Sequence, residues 1–246
     1  MTTLRGGPRH GAASAASSPS QLEYRPIWVD IGFTVLVTLV ASFVLKTFLI
    51  QSFYIPSQSM EPVLRSDDRV VVSKLAPGPL KVHRGDIVVF RDPGGWSSNA
   101  TALPQETGVG AWIVGLTQAL GLAPASSDEF LIKRVIGLPG DQVACDGGGN
   151  PLTVNGVAIT ETSYVMPGSS PSSGAFSITV PEDAVWVMGD NRDHSADSRF
   201  HMDQELGGAV AIDDVVGVAK IRLWPLNRLS LLRNPGDVFA NVPDPS

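Results

Sequence analysis

Cysteine is nearly absent from this chain. One residue in 246, Cys145, rules out an intrachain disulfide and a thiolate metal cluster. Its setting, "QVACDGG" beside a turn, suits a small packed side chain rather than a reactive thiol. Basic blocks are missing as well. With no Lys/Arg run and a net charge of -6, the chain has no electrostatic footprint for nucleic acid, which is excluded as the main partner. Charged residues make up only 17% against 43% hydrophobic, so the chain is globular and leans apolar. Histidine is scarce, and His10, His83 and His201 stand in no motif and read as surface or loop residues. Glycine and proline, by contrast, are plentiful. The 25 glycines and 19 prolines imply many turns, which favours β structure with long connections over a helix bundle. The length suits one generous domain with insertions.

Long apolar runs occur once. Residues 1–26 are rich in Ala, Ser and Gly and read as a disordered cytoplasmic tail. "IWVDIGFTVLVTLVASFVLKTFLIQSFYI" follows, with Asp30 and Lys46 as its only charges. Because Lys46 can snorkel, residues 27–50 form a transmembrane anchor long enough for a hydrocarbon core of about 30 Å. A buried core helix and a cleaved signal peptide are the rivals. The second lacks a small-residue cleavage site straight after the run. Arg5, Arg9 and Arg25 precede the span against one acid, Glu23, so the N-terminus is expected in the cytoplasm and residues 51–246 outside.

Short apolar or alternating runs fill the rest: "DRVVVSKL", "GDIVVFRD", "FLIKRVIGL", "LTVNGVAIT", "FSITV", "AVWVMGD" and "VVGVAKIRLW". "VNGV", Val154 to Val157, is a hairpin signal. The fold class expected from this pattern is mainly β: an N-terminal transmembrane helix, then a β-rich domain with insertions. Residues 93–127 break the pattern and read as an insertion carrying one amphipathic helix around Trp112, Leu116, Ala119 and Leu120. A hairpin and loop subdomain is expected at about 145–180, including the flexible "MPGSSPSSGAF".

"IPSQSMEP" carries the chemistry. Pro56 and Pro62 stiffen a turn around Ser57 and Ser59, which suits a nucleophile that must present its hydroxyl in one direction. Serine needs a neighbouring base. One candidate is His194 in "GDNRDHSADSR", with Asp193 or Asp197 to orient it as in a Ser-His-Asp site. The other is Lys133 in "FLIKRVIGLPGD", where burial among apolar neighbours would lower the amine pKa and free its lone pair. Pattern alone leaves open whether Lys133 or Arg134 faces inward. Asp190, Asn191, Arg192 and Asp193 form a dense polar turn suited to structural hydrogen bonding.

Four ordered segments after the anchor, "IPSQSMEPVL", "RGDIVVF", "KRVIGLPGD" and "GDNRDHSADSR", resemble bacterial type I signal peptidase, the membrane-anchored Ser-Lys protease that removes signal peptides from exported proteins. Val63 and His194 depart from the commonest pattern, where Thr and Asn are frequent, and residues 93–127 have no counterpart in the shortest members. The resemblance implies a mainly antiparallel β-sheet catalytic domain of the signal-peptidase-like fold, no metal or cofactor, and preprotein signal peptides and the lipid bilayer as partners. Matched position by position, it makes Ser59 the nucleophile and Lys133 the general base. Ser57 and the Ser59 amide would form the oxyanion hole, Ser195 would aim the amine, and Asp197 with Arg199 would be a supporting ion pair. Lysine rather than histidine at the base position points to the bacterial type. The rivals are another Ser-Lys self-cleaving protease and an inactive anchored homologue that binds exported proteins.

Overall fold

The computed structural model describes residues 27–44, 49–96 and 130–245. The expected tail, the 112–120 helix and most of the 93–127 insertion lie outside them. The chain divides into two units at Val40.

The first unit contains most of helix α1 (Ile27–Val44). Its run of β-branched and aromatic residues is broken by no proline, and Asp30 in the first turn complements the positive end of the helix dipole. Eighteen residues give about 27 Å of helix, a little under the thickness expected of a span. No described helix is long and apolar enough to cross a membrane. The anchor expected over 27–50 also ends too late, because Ile50 already begins strand β1 (Ile50–Tyr54). "IQSFY" is apolar enough to extend the run by composition. It forms a strand because β2 (Arg69–Ser73) pairs with it antiparallel, Phe53 opposite Val70.

The second unit is antiparallel β, as expected. β1 and β2 are joined in one eight-stranded sheet by β3 (Ile87–Arg91), β4 (Phe130–Gly137), β9 (Ala184–Met188), β10 (Val210–Ala211), β11 (Val215–Trp224) and β12 (Ser230–Leu231). The path runs β1-β2-β11-β3-β4-β9-β10, with β12 on β11. A smaller sheet, β7-β6-β5-β8, is built from β5 (Gln142–Cys145), β6 (Thr153–Val154), β7 (Val157–Ala158) and β8 (Phe176–Thr179). Its strands lie between Gln142 and Thr179. Asn155 (φ 52°) and Gly156 (φ 77°) turn β6 into β7, the left-handed pair that an Asn-Gly hairpin requires. Cys145 is buried and packed there.

The middle strands are covered on both faces. Ile87, Val89 and Ile132 pack with Met60, Leu64 and Phe53 in one cluster. Val88, Phe90 and Val135 pack with Val185, Val187 and Val218 in another. Trp96, at the edge of the expected insertion, joins the second cluster edge-on to Phe90 and stacks on His201 at 4.4 Å. His201 is therefore half-buried, not a bare loop residue.

Candidate active site

The turn that carries Ser57 and Ser59 is fixed from below. Met60 and Leu64 are fully buried, and the Leu64 amide donates to the Met60 carbonyl at 2.8 Å. Ile55 closes the segment by exchanging backbone bonds with Asp68 and Asp67, both at 2.9 Å. Ser59 is thereby held only 5% exposed at the top of an apolar plug, while Ser57 stays exposed. The two hydroxyls are 3.1 Å apart.

β4 brings the amine. Ile132 to Gly137 are all buried, so alternation along the strand encloses both Lys133 (3% exposed) and Arg134 (1%), and neither turns to solvent. Lys133 Nζ lies 2.8 Å from Ser59 Oγ and donates to its neighbour's carbonyl, Ile132 O, at 3.1 Å. Burial is the largest influence on this amine and lowers its pKa to about 8; Asp197 and Asp190 pull weakly the other way. A serine hydroxyl therefore lies against an amine whose neutral form burial favours, the arrangement that a nucleophile with a neighbouring base would need.

Arg134 receives opposite treatment. Its guanidinium binds both oxygens of buried Asp190, at 2.7 and 2.6 Å, reaches Gly85 O at 2.7 Å and lies 4.2 Å over the Tyr164 ring. Arg192 is buried beside it against Glu161, whose carboxylate also accepts from Tyr164.

His194 is exposed and, among the described residues, its ring pairs with Asn191, Nδ1 to Oδ1 at 3.3 Å. It fills a turn. Asp197 receives Arg199 at 2.9 Å and the Gly189 amide at 2.9 Å, so its charge is compensated behind the site. Ser195 differs from expectation. It is buried, but the Lys133 amine is bonded to Ser59 and Ile132, and the Ser195 hydroxyl has no hydrogen-bond partner among the described residues. It packs on Gly189 instead: a Cβ added there would fall 2.2 Å from Ser195 Oγ and 2.5 Å from Ser59 O. The polar turn completes the clamp, because the Asn191 amide donates to Ser59 O at 3.0 Å and its side chain reaches Gln58 O. Sequence reasoning took the turn as structural but missed that Gly189 and Asn191 grip the nucleophile, and it missed Glu161 and Tyr164 altogether. The only signal for Gly189 was a glycine at the end of a wholly apolar strand.

Beside the pair, Phe53, Tyr54, Ile55, Phe130 and Ile132 line a small cavity of about 80 Å³ that reaches Ser57 and Lys133. Phe53 and Phe130 meet edge-on at 5.3 Å across it.

Known proteins resemble this chain over most of its length. Residues 28–224 match the family described as "Signal peptidase, peptidase S26". A signal peptidase I of Mycobacterium tuberculosis is 35% identical over 225 residues, covering 83% of this chain and 75% of the relative. A probable signal peptidase I of Mycobacterium leprae is 31% identical over 88% of this chain and 83% of its own length. A signal peptidase I of Leptolyngbya laminosa is 34% identical over 82% of each. The chain therefore belongs to the signal peptidase family S26, on the bacterial type I branch, and is a serine endopeptidase.

Proposed function

We propose that this enzyme removes signal peptides from exported preproteins by a Ser-Lys acyl-enzyme mechanism. Ser59 Oγ attacks the scissile carbonyl while neutral Lys133 accepts its proton. The developing oxyanion is met by the Ser57 hydroxyl and the Ser59 amide. Lys133 then returns the proton to the departing amine, and a water deprotonated by the same lysine hydrolyses the ester. A neutral amine has one lone pair and two N–H groups. With the lone pair directed at Ser59 and one N–H at Ile132 O, the unpartnered Ser195 hydroxyl is the group suited to the other N–H. Asp197 and Arg199 stay a compensated pair behind it, because a bare carboxylate against Lys133 would keep it protonated.

The cavity of about 80 Å³ supports cleavage after small side chains, at sites of the Ala-X-Ala kind. Its apolar, partly aromatic walls suit small uncharged side chains and disfavour charged ones. α1 is read as the single membrane anchor: its large side chains, Trp28 at 79% and Phe33 at 67% among them, are exposed on every side, which suits lipid. The positive tail then stays in the cytoplasm and the β domain works outside.

One observation carries the reading, the 2.8 Å contact between a buried, counterion-free amine and Ser59. The test is cleavage of a preprotein by the purified full chain in detergent, with N-terminal sequencing of the product. Ser59→Ala should fold normally and show no cleavage. Substantial activity in that variant would remove Ser59 from the mechanism.

A further inference from the structure

A second groove, in the segment 149–171, plays no part in the scheme above. It has a volume of about 400 Å³, in the range of ligand-binding clefts, and is lined among others by Ile159, Thr160, Val165, Met166, Pro167 and Pro171. Its one acid, Glu161, is fully engaged by Arg192 at 2.5 and 2.8 Å and by Tyr164. The groove therefore offers apolar walls and small hydroxyls and no free charge. That chemistry suits an uncharged, extended stretch of peptide.

Its position decides which stretch. Two backbone links tie the groove wall to the nucleophile. Ser59 O accepts from the Asn191 amide, and the adjacent Asp190 O accepts from the Met166 amide at 2.9 Å. On the other side Pro62, three residues after Ser59, forms an antiparallel bridge with Val165. Three residues span at most about 11 Å, and a bridge adds about 5 Å. The near wall thus lies within about 16 Å of Ser59, a reach of roughly five extended residues. The small cavity beside Ser59 is formed by the chain arriving at the nucleophile, residues 53–57, together with 130–133. The second groove adjoins the chain leaving it. A substrate with its residues before the cut in the first cavity and its scissile bond at Ser59 would then have the second groove within reach of the residues after the cut.

The geometry points to this groove as the binding site for the first residues of the mature protein, those that follow the cleaved bond. The assignment rests on the catalytic reading above. It makes the segment 159–171 a specificity surface, one that favours apolar or small uncharged residues and disfavours acids and bulky charges just beyond the cut.

The experiment uses the full chain in detergent and two synthetic substrates identical up to the residue after the scissile bond. One stops two residues beyond the bond, and the other continues for eight. The wild type should cleave the longer at least tenfold better in kcat/KM, chiefly through a lower KM. Thr160→Trp, which fills the groove from an exposed position, and Met166→Asp, which charges its wall, should each collapse that ratio toward one. Glu182→Ala, exposed and outside the groove, should keep it. Equal kcat/KM for both lengths in the wild type, or a length effect surviving both groove variants, would overturn the proposal and leave the groove to another occupant, such as a second copy of the chain. Cleavage of neither substrate would overturn the catalytic reading and this one with it, so the two failures are distinguishable.

Discussion

Lys133 and Arg134 are adjacent on one strand, both cationic by type and both almost wholly buried, yet their surroundings differ completely. Arg134 is given a bidentate carboxylate, a carbonyl and an aromatic face. Burial pushes its pKa down, but the charge and hydrogen bonds of Asp190 outweigh that and raise it overall. Lys133 is given a hydroxyl and a carbonyl, neither of them charged, and its pKa falls to about 8. The same low-dielectric interior holds a charged, carboxylate-paired cation in one pocket and favours the neutral form of an amine in the next. The difference lies in where the carboxylates are placed: Asp190 on the guanidinium, Asp197 on Arg199, none in contact with the amine.

The comparison breaks most severely at Lys133 itself. Lys133→Arg puts a group in the catalytic pocket that stays protonated at working pH, and kcat should fall by at least about 10⁴-fold in a preprotein assay. Lys133→Met should be equally inactive but more stable at neutral pH. The folded-state pKa of the lysine lies below the unfolded value of 10.5, so its penalty is absent above that pH and complete once pH has fallen through about 8. At about 1.4 kcal/mol per pH unit, the full penalty is on the order of 3 kcal/mol. Thermal melts should therefore favour Lys133→Met at pH 7 and show little difference near pH 10.5.

The neighbouring pocket should fail in the opposite way. Asp190→Asn strands a buried guanidinium, which costs about 3–5 kcal/mol and should lower the melting temperature by on the order of 10 °C. Any loss of activity there should follow loss of fold, since Asp190 touches neither Ser59 nor the amine. The smallest effect belongs to His194→Ala. An exposed side chain bonded to Asn191 should change preprotein cleavage by less than about threefold and stability by under about 0.5 kcal/mol.

Much of this pair of pockets could be read in the sequence, and the unread part has a physical cause. Ser57 and Ser59 stood out because two prolines frame them, and Lys133 because its neighbours are apolar. Alternation, however, assumes a sheet with one wet face. It set Lys133 against Arg134 as alternatives, whereas β4 lies mid-sheet with both faces covered and buries both. Strand β1 was hidden because its apolar residues continue the composition of α1. The two-residue strands β10 and β12 are too short to show a period. Glu161 meets Arg192 across 31 positions, a pairing without a local signal. The position of Ser195, packed on Gly189 rather than bonded to the amine, depends on a backbone approach that only the missing Cβ of that glycine allows.

The most direct test of the central claim is the pH dependence of kcat/KM for preprotein cleavage by the full chain in detergent. A neutral Lys133 acting as base predicts that activity is low in acid and rises tenfold per pH unit to a midpoint near 8, where the buried amine loses its proton. Asp197→Asn, which removes a charge that holds the proton on, should move that midpoint to lower pH. A midpoint near 6.5 that disappears in His194→Ala, or a profile flat from pH 5 to 10, would contradict the account.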